Sequence, residues 1–135
     1  MRLIVPFNEI EHIIDEKVKQ PISFEYVDEK TLRIKYELNL FVTKKTISTD
    51  LEIKGMKGSD LFLGYGSGND KMLVSTALQM VGNKIPAGLI EENEAGNLTL
   101  HLDKIEQAKT VFEKIDVQKI LVMNESLGIE GQLKL

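Results

Sequence analysis

Between Ile22 and Ile53, apolar and polar residues alternate through three successive segments. That period of two admits little besides antiparallel strands with one buried and one wet face. Ile22, Phe24 and Tyr26 alternate with Ser23 and Glu25. After the polar turn Asp28-Glu29-Lys30, Leu32, Ile34, Tyr36, Leu38 and Leu40 alternate with Arg33, Lys35, Glu37 and Asn39. Thr43-Lys44-Lys45 predicts a second turn, and Ile47, Thr49, Leu51 and Ile53 against Ser48, Asp50, Glu52 and Lys54 predict a third strand. Gly55 and Gly58 break the register before a fourth strand, Leu61-Phe62-Leu63, whose odd-numbered face continues to Tyr65. Four strands with short connections predict a meander, and the glycines at its end permit the sheet to curl.

The segment Asn69 to Ile85 has a different character. From Met72 to Asn83 it holds no Asp, Glu, Lys or Arg, although 28% of the chain is charged. At a helical period Leu73, Val74, Ala77, Leu78, Met80, Val81 and Ile85 cover an arc of about 160°, which predicts a buried helix. Its other side carries Ser75, Thr76, Gln79, Gly82 and Asn83, small or uncharged groups suited to a second layer, a ligand or another chain.

On the N-terminal side, Asn8 with Glu11 predicts a capping box for a first helix, with Ile10, Ile13, Ile14 and Val18 on one face and Pro21 as its stop. On the C-terminal side, Pro86 and Gly88 end the buried helix and the acidic segment from Glu91 to Gly96 predicts a loop. Leu98, Leu100 and Leu102 predict a short strand, with Thr99 and His101 on its other side. Asp103 with Glu106 predicts a second capping box, and Ile105, Ala108, Val111, Phe112 and Ile115 form a stripe about 120° wide. Val117 to Met123 and Leu127 to Leu135 predict two closing strands around the turn Asn124-Glu125-Ser126. No repeat or linker divides the chain. The expected fold is a single α+β domain over residues 1–135, a curved antiparallel β-meander wrapped on a long apolar helix, with element order αββββαβαββ.

A chain of 135 residues can remove roughly two thirds of its unfolded surface from water, enough for one core. Cysteine is absent, which excludes disulfides, a thiol nucleophile and thiolate-bound metal. A formal charge of −4 lacks the basic excess that binding phosphates requires, so nucleic acid is not an expected partner. No apolar run approaches the roughly 20 residues of a transmembrane helix, and Met1-Arg2-Leu3-Ile4-Val5-Pro6 is too short for a signal peptide. The expected location is cytoplasmic for the chain as given, or exported if a leader has been removed.

No motif predicts catalysis, a metal or a cofactor. Gly64-Tyr65-Gly66-Ser67-Gly68-Asn69-Asp70 lies where a phosphate loop would, but Asn69 replaces the third glycine of the dinucleotide fingerprint and Asp70 repels an anion. A bend capped by Asn69 accounts for it. Glu9, His12 and Glu16 share a helix face with metal-ligand spacing, yet no second such motif exists, and a solvated charged face is the simpler reading. His101 is read as a polar-face strand residue without an evident carboxylate pair. Glu91, Glu92, Glu94 and Asp103 lack the alternation of a calcium loop. The protein is therefore expected not to be an enzyme.

Phe24, Tyr26, Tyr36, Phe41, Phe62 and Tyr65 suit either a core or a hydrophobic pocket between sheet and helix. In its opening Phe7-Asn8-Glu9-Ile10, its meander from Ile22 to Tyr65, its apolar helix from Asn69 and its closing Ile120-Leu121-Val122-Met123-Asn124-Glu125-Ser126-Leu127-Gly128-Ile129-Glu130-Gly131, the chain resembles small bacterial representatives of the tubular lipid-binding (TULIP) superfamily. The resemblance implies a groove between the sheet's concave face and the helix that holds or passes lipid-like molecules. The expected function is non-enzymatic binding of an apolar or lipid-like ligand by Phe24, Tyr36, Leu38, Leu73, Ala77, Leu78 and Met80. The alternative is a protein-interaction or homodimerising module that uses the uncharged helix side, or the final strand Leu127 to Leu135 as an open edge.

Overall fold

In chain order the elements are β1 (Arg2–Pro6), α1 (Phe7–Val18), β2 (Ile22–Asp28), β3 (Thr31–Leu40), β4 (Thr43–Lys57), β5 (Asp60–Tyr65), β6 (Ile90–Glu92), β7 (Asn97–His101), α2 (Glu106–Lys114), β8 (Ile115–Met123) and β9 (Ser126–Leu133). The structure is a computed structural model and describes residues 1–19, 22–40, 42–65, 84–85 and 87–134. The alternating segments form the strands their period predicts. β2, β3, β4 and β5 pair consecutively and antiparallel, and β7 and β6 extend them into a six-stranded sheet in the order β2-β3-β4-β5-β7-β6.

Register sorts this sheet into two faces. On one, Phe24 lies opposite Ile34, Tyr36 opposite Ile47, Leu51 opposite Tyr65 and Leu63 opposite Leu98. On the other, Arg33 lies between Glu25 and Asp50, with Arg33 Nε 2.8 Å from Asp50 Oδ1 and Lys35 Nζ 2.7 Å from Glu25 Oε2. These pairs are solvent-screened and set the wet face more than they stabilise it.

The remaining strands form a separate three-stranded sheet, β1-β9-β8. Its β8 supplies the buried Val117, Ile120 and Val122, which meet the apolar face of the larger sheet. Val117 and Ile120 pack with Leu61, Leu63 and Tyr65 of β5 and Leu98 of β7. Val122 joins Phe7 and Leu32, with Phe24, Ile34 and Leu127 against them. A bulge between Val117 and Lys119 makes this possible, because the inserted Gln118 turns residues three apart to the same side. A register shift between Ile53 and Gly55 does the same for Ile53 and Met56 in β4.

The expected meander wrapped on a long helix is therefore corrected. The apolar faces of two sheets, of six and three strands, meet each other, and the helices among the described residues are α1 and α2. The order αββββαβαββ is corrected as well, because Arg2–Pro6 forms a strand and part of the expected acidic loop pairs with β7 as β6. The buried helix expected over Asn69 to Ile85 lies almost wholly outside the described residues. The final strand is no open edge, since β9 is the middle strand of its sheet.

Both expected capping boxes are also absent. α1 begins at Phe7 with Pro6 as its N-cap and no side-chain cap, and its apolar side is anchored by Phe7, 6% exposed, while Ile13 is 38% exposed. Phe7 meets Phe24 edge to face, with ring centroids 5.8 Å apart. Glu11 is occupied elsewhere: its Oε2 accepts the Phe24 backbone N–H at 2.6 Å. Asp103 falls in a short 3-10 turn before α2, whose N-cap is Ile105.

Candidate functional site

The most informative surface is the inner face of β3, β4 and β5 around Thr49. Tyr36 opposes Ile47, Ile34 opposes Thr49, and Leu51 opposes Tyr65, so these side chains share one side of the sheet. Ile47 and Thr49 are each 3% exposed and Tyr65 is 8% exposed. Thr49 is satisfied, sharing a 3.4 Å hydrogen bond between its Oγ1 and the Tyr36 hydroxyl. Tyr65 is not: its hydroxyl is buried without a hydrogen-bond partner among the described residues. Such a group costs about 1–3 kcal/mol and calls for an explanation. Burial, followed by the negative charge of Glu92, raises the Tyr65 pKa above its usual value of 10.0, so the phenol stays neutral and offers a proton to an acceptor.

The expected ligand residues are placed unevenly. Tyr36 lies at this surface, half-buried. Phe24 shares the face but is engaged in the Phe7 cluster. Leu38 is placed by register opposite Lys45. Leu73, Ala77, Leu78 and Met80 lie outside the described residues, as does Phe41. Tyr26 lies opposite Leu32 on the inner face but is 46% exposed, and Phe62 is turned to the opposite face with 36% exposure. A cleft of about 270 Å³ on the small sheet, bounded by Met1, Arg2, Gln118, Glu130, Gly131 and Gln132, is polar and involves none of the expected ligand residues.

A second cluster was missed from sequence. His101 does have a carboxylate pair: Nδ1 is 2.7 Å from Asp60 Oδ1, and Nε2 is 3.4 Å from Glu91 Oε2. β5 brings Asp60 directly opposite His101, and β6 adds Glu91. No local motif announces this, because both contacts depend on strand register. The Asp60 hydrogen bond, helped by Glu91, raises the His101 pKa above 6.5 even though burial opposes it. With a carboxylate at each nitrogen, the ring ties three strands together and has no nitrogen left for a substrate. Nearby, Asn93 Nδ2 donates to Thr99 Oγ1 at 2.7 Å and satisfies a threonine that is 4% exposed.

The remaining motifs stay bland. His12 Nε2 lies 3.0 Å from Glu16 Oε1, but both side chains are largely exposed. No group of three or more His, Asp or Glu among the described residues is arranged to hold a metal ion. Of the glycine-rich bend, Gly64 and Tyr65 belong to β5 and the rest lies outside the described residues. No helix among the described residues is long and apolar enough to cross a membrane.

No protein-family model matches the chain, and neither the curated proteins nor the solved structures yield a match. The superfamily resemblance and the expected activity thus rest on this chain alone.

Proposed function

We propose that the protein is a non-enzymatic binding domain that holds an amphipathic molecule, with its apolar body on the inner face of β3–β5 and one polar group at Tyr65. The buried Tyr65 hydroxyl, unpartnered among the described residues, carries this reading. Apolar ligand sites typically combine a hydrophobic lining with very few placed polar atoms, and Leu51, opposite Tyr65, with Ile47, Tyr36 and Thr49 further along the same sheet face, offers such a surface beside that phenol. The negative charge of Glu92 acting on Tyr65 favours an uncharged acceptor, an alcohol, ester or amide oxygen, over a carboxylate. The neutral phenol and the doubly engaged His101 both suit a role without proton transfer to a substrate.

The test uses a dansyl-labelled long-chain alcohol as probe, titrated against wild type and Tyr65→Phe. Wild type binds it, and the variant binds about 5- to 30-fold more weakly, corresponding to one hydrogen bond. The unliganded variant melts no lower than wild type, since it has lost an unsatisfied group. Absence of binding by wild type, or equal affinities, rejects the proposal. Native mass spectrometry of the purified protein offers an independent check for a retained apolar molecule.

A further inference from the structure

Among the described residues the two sheets end on four edge strands, β2 and β6 in the larger and β1 and β8 in the smaller. Exposed edges invite pairing with another chain unless they are short, charged or covered. Three of these carry such a device. At β2, the outward N–H of Phe24 is taken by the Glu11 carboxylate at 2.6 Å. At β8, the outward N–H of Val122 donates to the Glu29 carbonyl at 2.8 Å. β6 is three residues long, and two of them are glutamates. β1 differs: it reads Arg-Leu-Ile-Val-Pro, Leu3 and Ile4 are 40% and 53% exposed, and its one charge is already paired with Glu130.

The direction of its backbone groups follows from two bonds that bracket the strand. Gly131 N–H donates to the Met1 carbonyl at 3.0 Å, and Phe7 N–H donates to the Glu125 carbonyl at 2.9 Å. Antiparallel ladders alternate, so Leu3 and Val5 bond inward to β9 while Arg2, Ile4 and Pro6 point outward.

We propose that β1 pairs antiparallel with β1 of a second copy, about a two-fold axis at Ile4, joining two three-stranded sheets into one of six. In this register Ile4 exchanges N–H and carbonyl with its own counterpart, and the N–H of Arg2 meets the carbonyl of Pro6 in the second copy. Every outward N–H then has an acceptor; Pro6 has no N–H, so the Arg2 carbonyl of each copy is left to solvent at the exposed end of the pairing. The charges agree: Arg2 faces Pro6 across the axis and never a second Arg2. A self-complementary pattern of this kind fits a second copy of the same chain better than an unrelated strand. Five residues a side bury less than a standard interface, so the dimer is weak and concentration-dependent.

Sedimentation measured from about 10 µM to about 1 mM tests this, together with hydrogen exchange at both ends of that range. Wild type shifts from monomer to dimer, and the Arg2 and Ile4 amides exchange more slowly in the concentrated sample. Ile4→Lys sets two ammonium groups face to face and weakens association at least about tenfold, with melting unchanged because the site is exposed. Leu133→Lys, at another exposed apolar position, leaves association as in wild type. A monomer at every concentration, a dimer that survives Ile4→Lys, or capture of a foreign strand peptide at β1 without self-association overturns the proposal.

Discussion

The backbone N–H of Phe24 donates to the Glu11 carboxylate at 2.6 Å, so a helix side chain closes the outer edge of the six-stranded sheet. Bonds from a charged acceptor to a half-buried amide contribute about 1.5–3 kcal/mol. Glu11→Ala is therefore expected to lower the unfolding free energy by about 2 kcal/mol in urea titrations, and Glu11→Gln, which keeps an acceptor, by less. The alanine variant also frees an edge amide and should aggregate more readily on heating.

His101 gives the protein a pH dependence of definite sign. Its pKa is raised in the folded state, first by the Asp60 hydrogen bond and then by Glu91, so folding favours the charged ring. The stability it contributes is complete below its unfolded value of 6.5 and is lost as pH rises through the higher folded value. Thermal melts of wild type and His101→Gln from about pH 5 to about pH 9 should diverge most at the acid end and converge at the alkaline end. Parallel profiles would contradict this account.

Gly131 lies opposite Val117, at the bulge where Gln118 is inserted. A Cβ at this position would collide with the backbone carbonyl oxygen of Asp116 and press on Ile115 Cγ2 at 3.0 Å. Backbone cannot swing aside as a side chain does. Gly131→Ala should cost about 1–3 kcal/mol in guanidinium unfolding. At Gly64 the nearest atoms to an added Cβ belong to the flexible Lys54 side chain, so Gly64→Ala should cost less.

α1 ends with Lys19 in the left-handed region at φ 60°, its N–H bonded to the Asp15 carbonyl at 2.8 Å. Glycine adopts this conformation without a Cβ clash. Lys19→Gly is expected to raise stability by about 0.5–1 kcal/mol, read as an upward shift of the melting temperature.

Much of the larger sheet was legible because its strands announce themselves locally. From Ile22 to Ile53 the alternation marks both the strands and the buried side, and Asp28-Glu29-Lys30 marks a turn in which Asp28 Oδ1 accepts the Lys30 N–H at 2.9 Å. The same holds for the β8–β9 hairpin. β6 was hidden because an edge strand rich in glutamate resembles a loop, and β1 because five residues hold too little pattern to declare a period. The division into two sheets was out of reach, since it depends on which distant strands pair. Of the site, Tyr36 and Tyr65 were visible as large residues on an inner face. That one hydroxyl is satisfied and the other is not depends on Thr49 and on burial, which side-chain alternation does not encode.

The partnership of β1 with β9 also sets the order of assembly. Arg2 and Glu130 meet across 128 positions of chain, so the small sheet closes a very long loop. During synthesis β1 leaves the ribosome long before its neighbour exists. Its leucine, isoleucine and valine travel without that neighbour until β9 has emerged, so the small sheet closes after the local hairpins of the larger one can form.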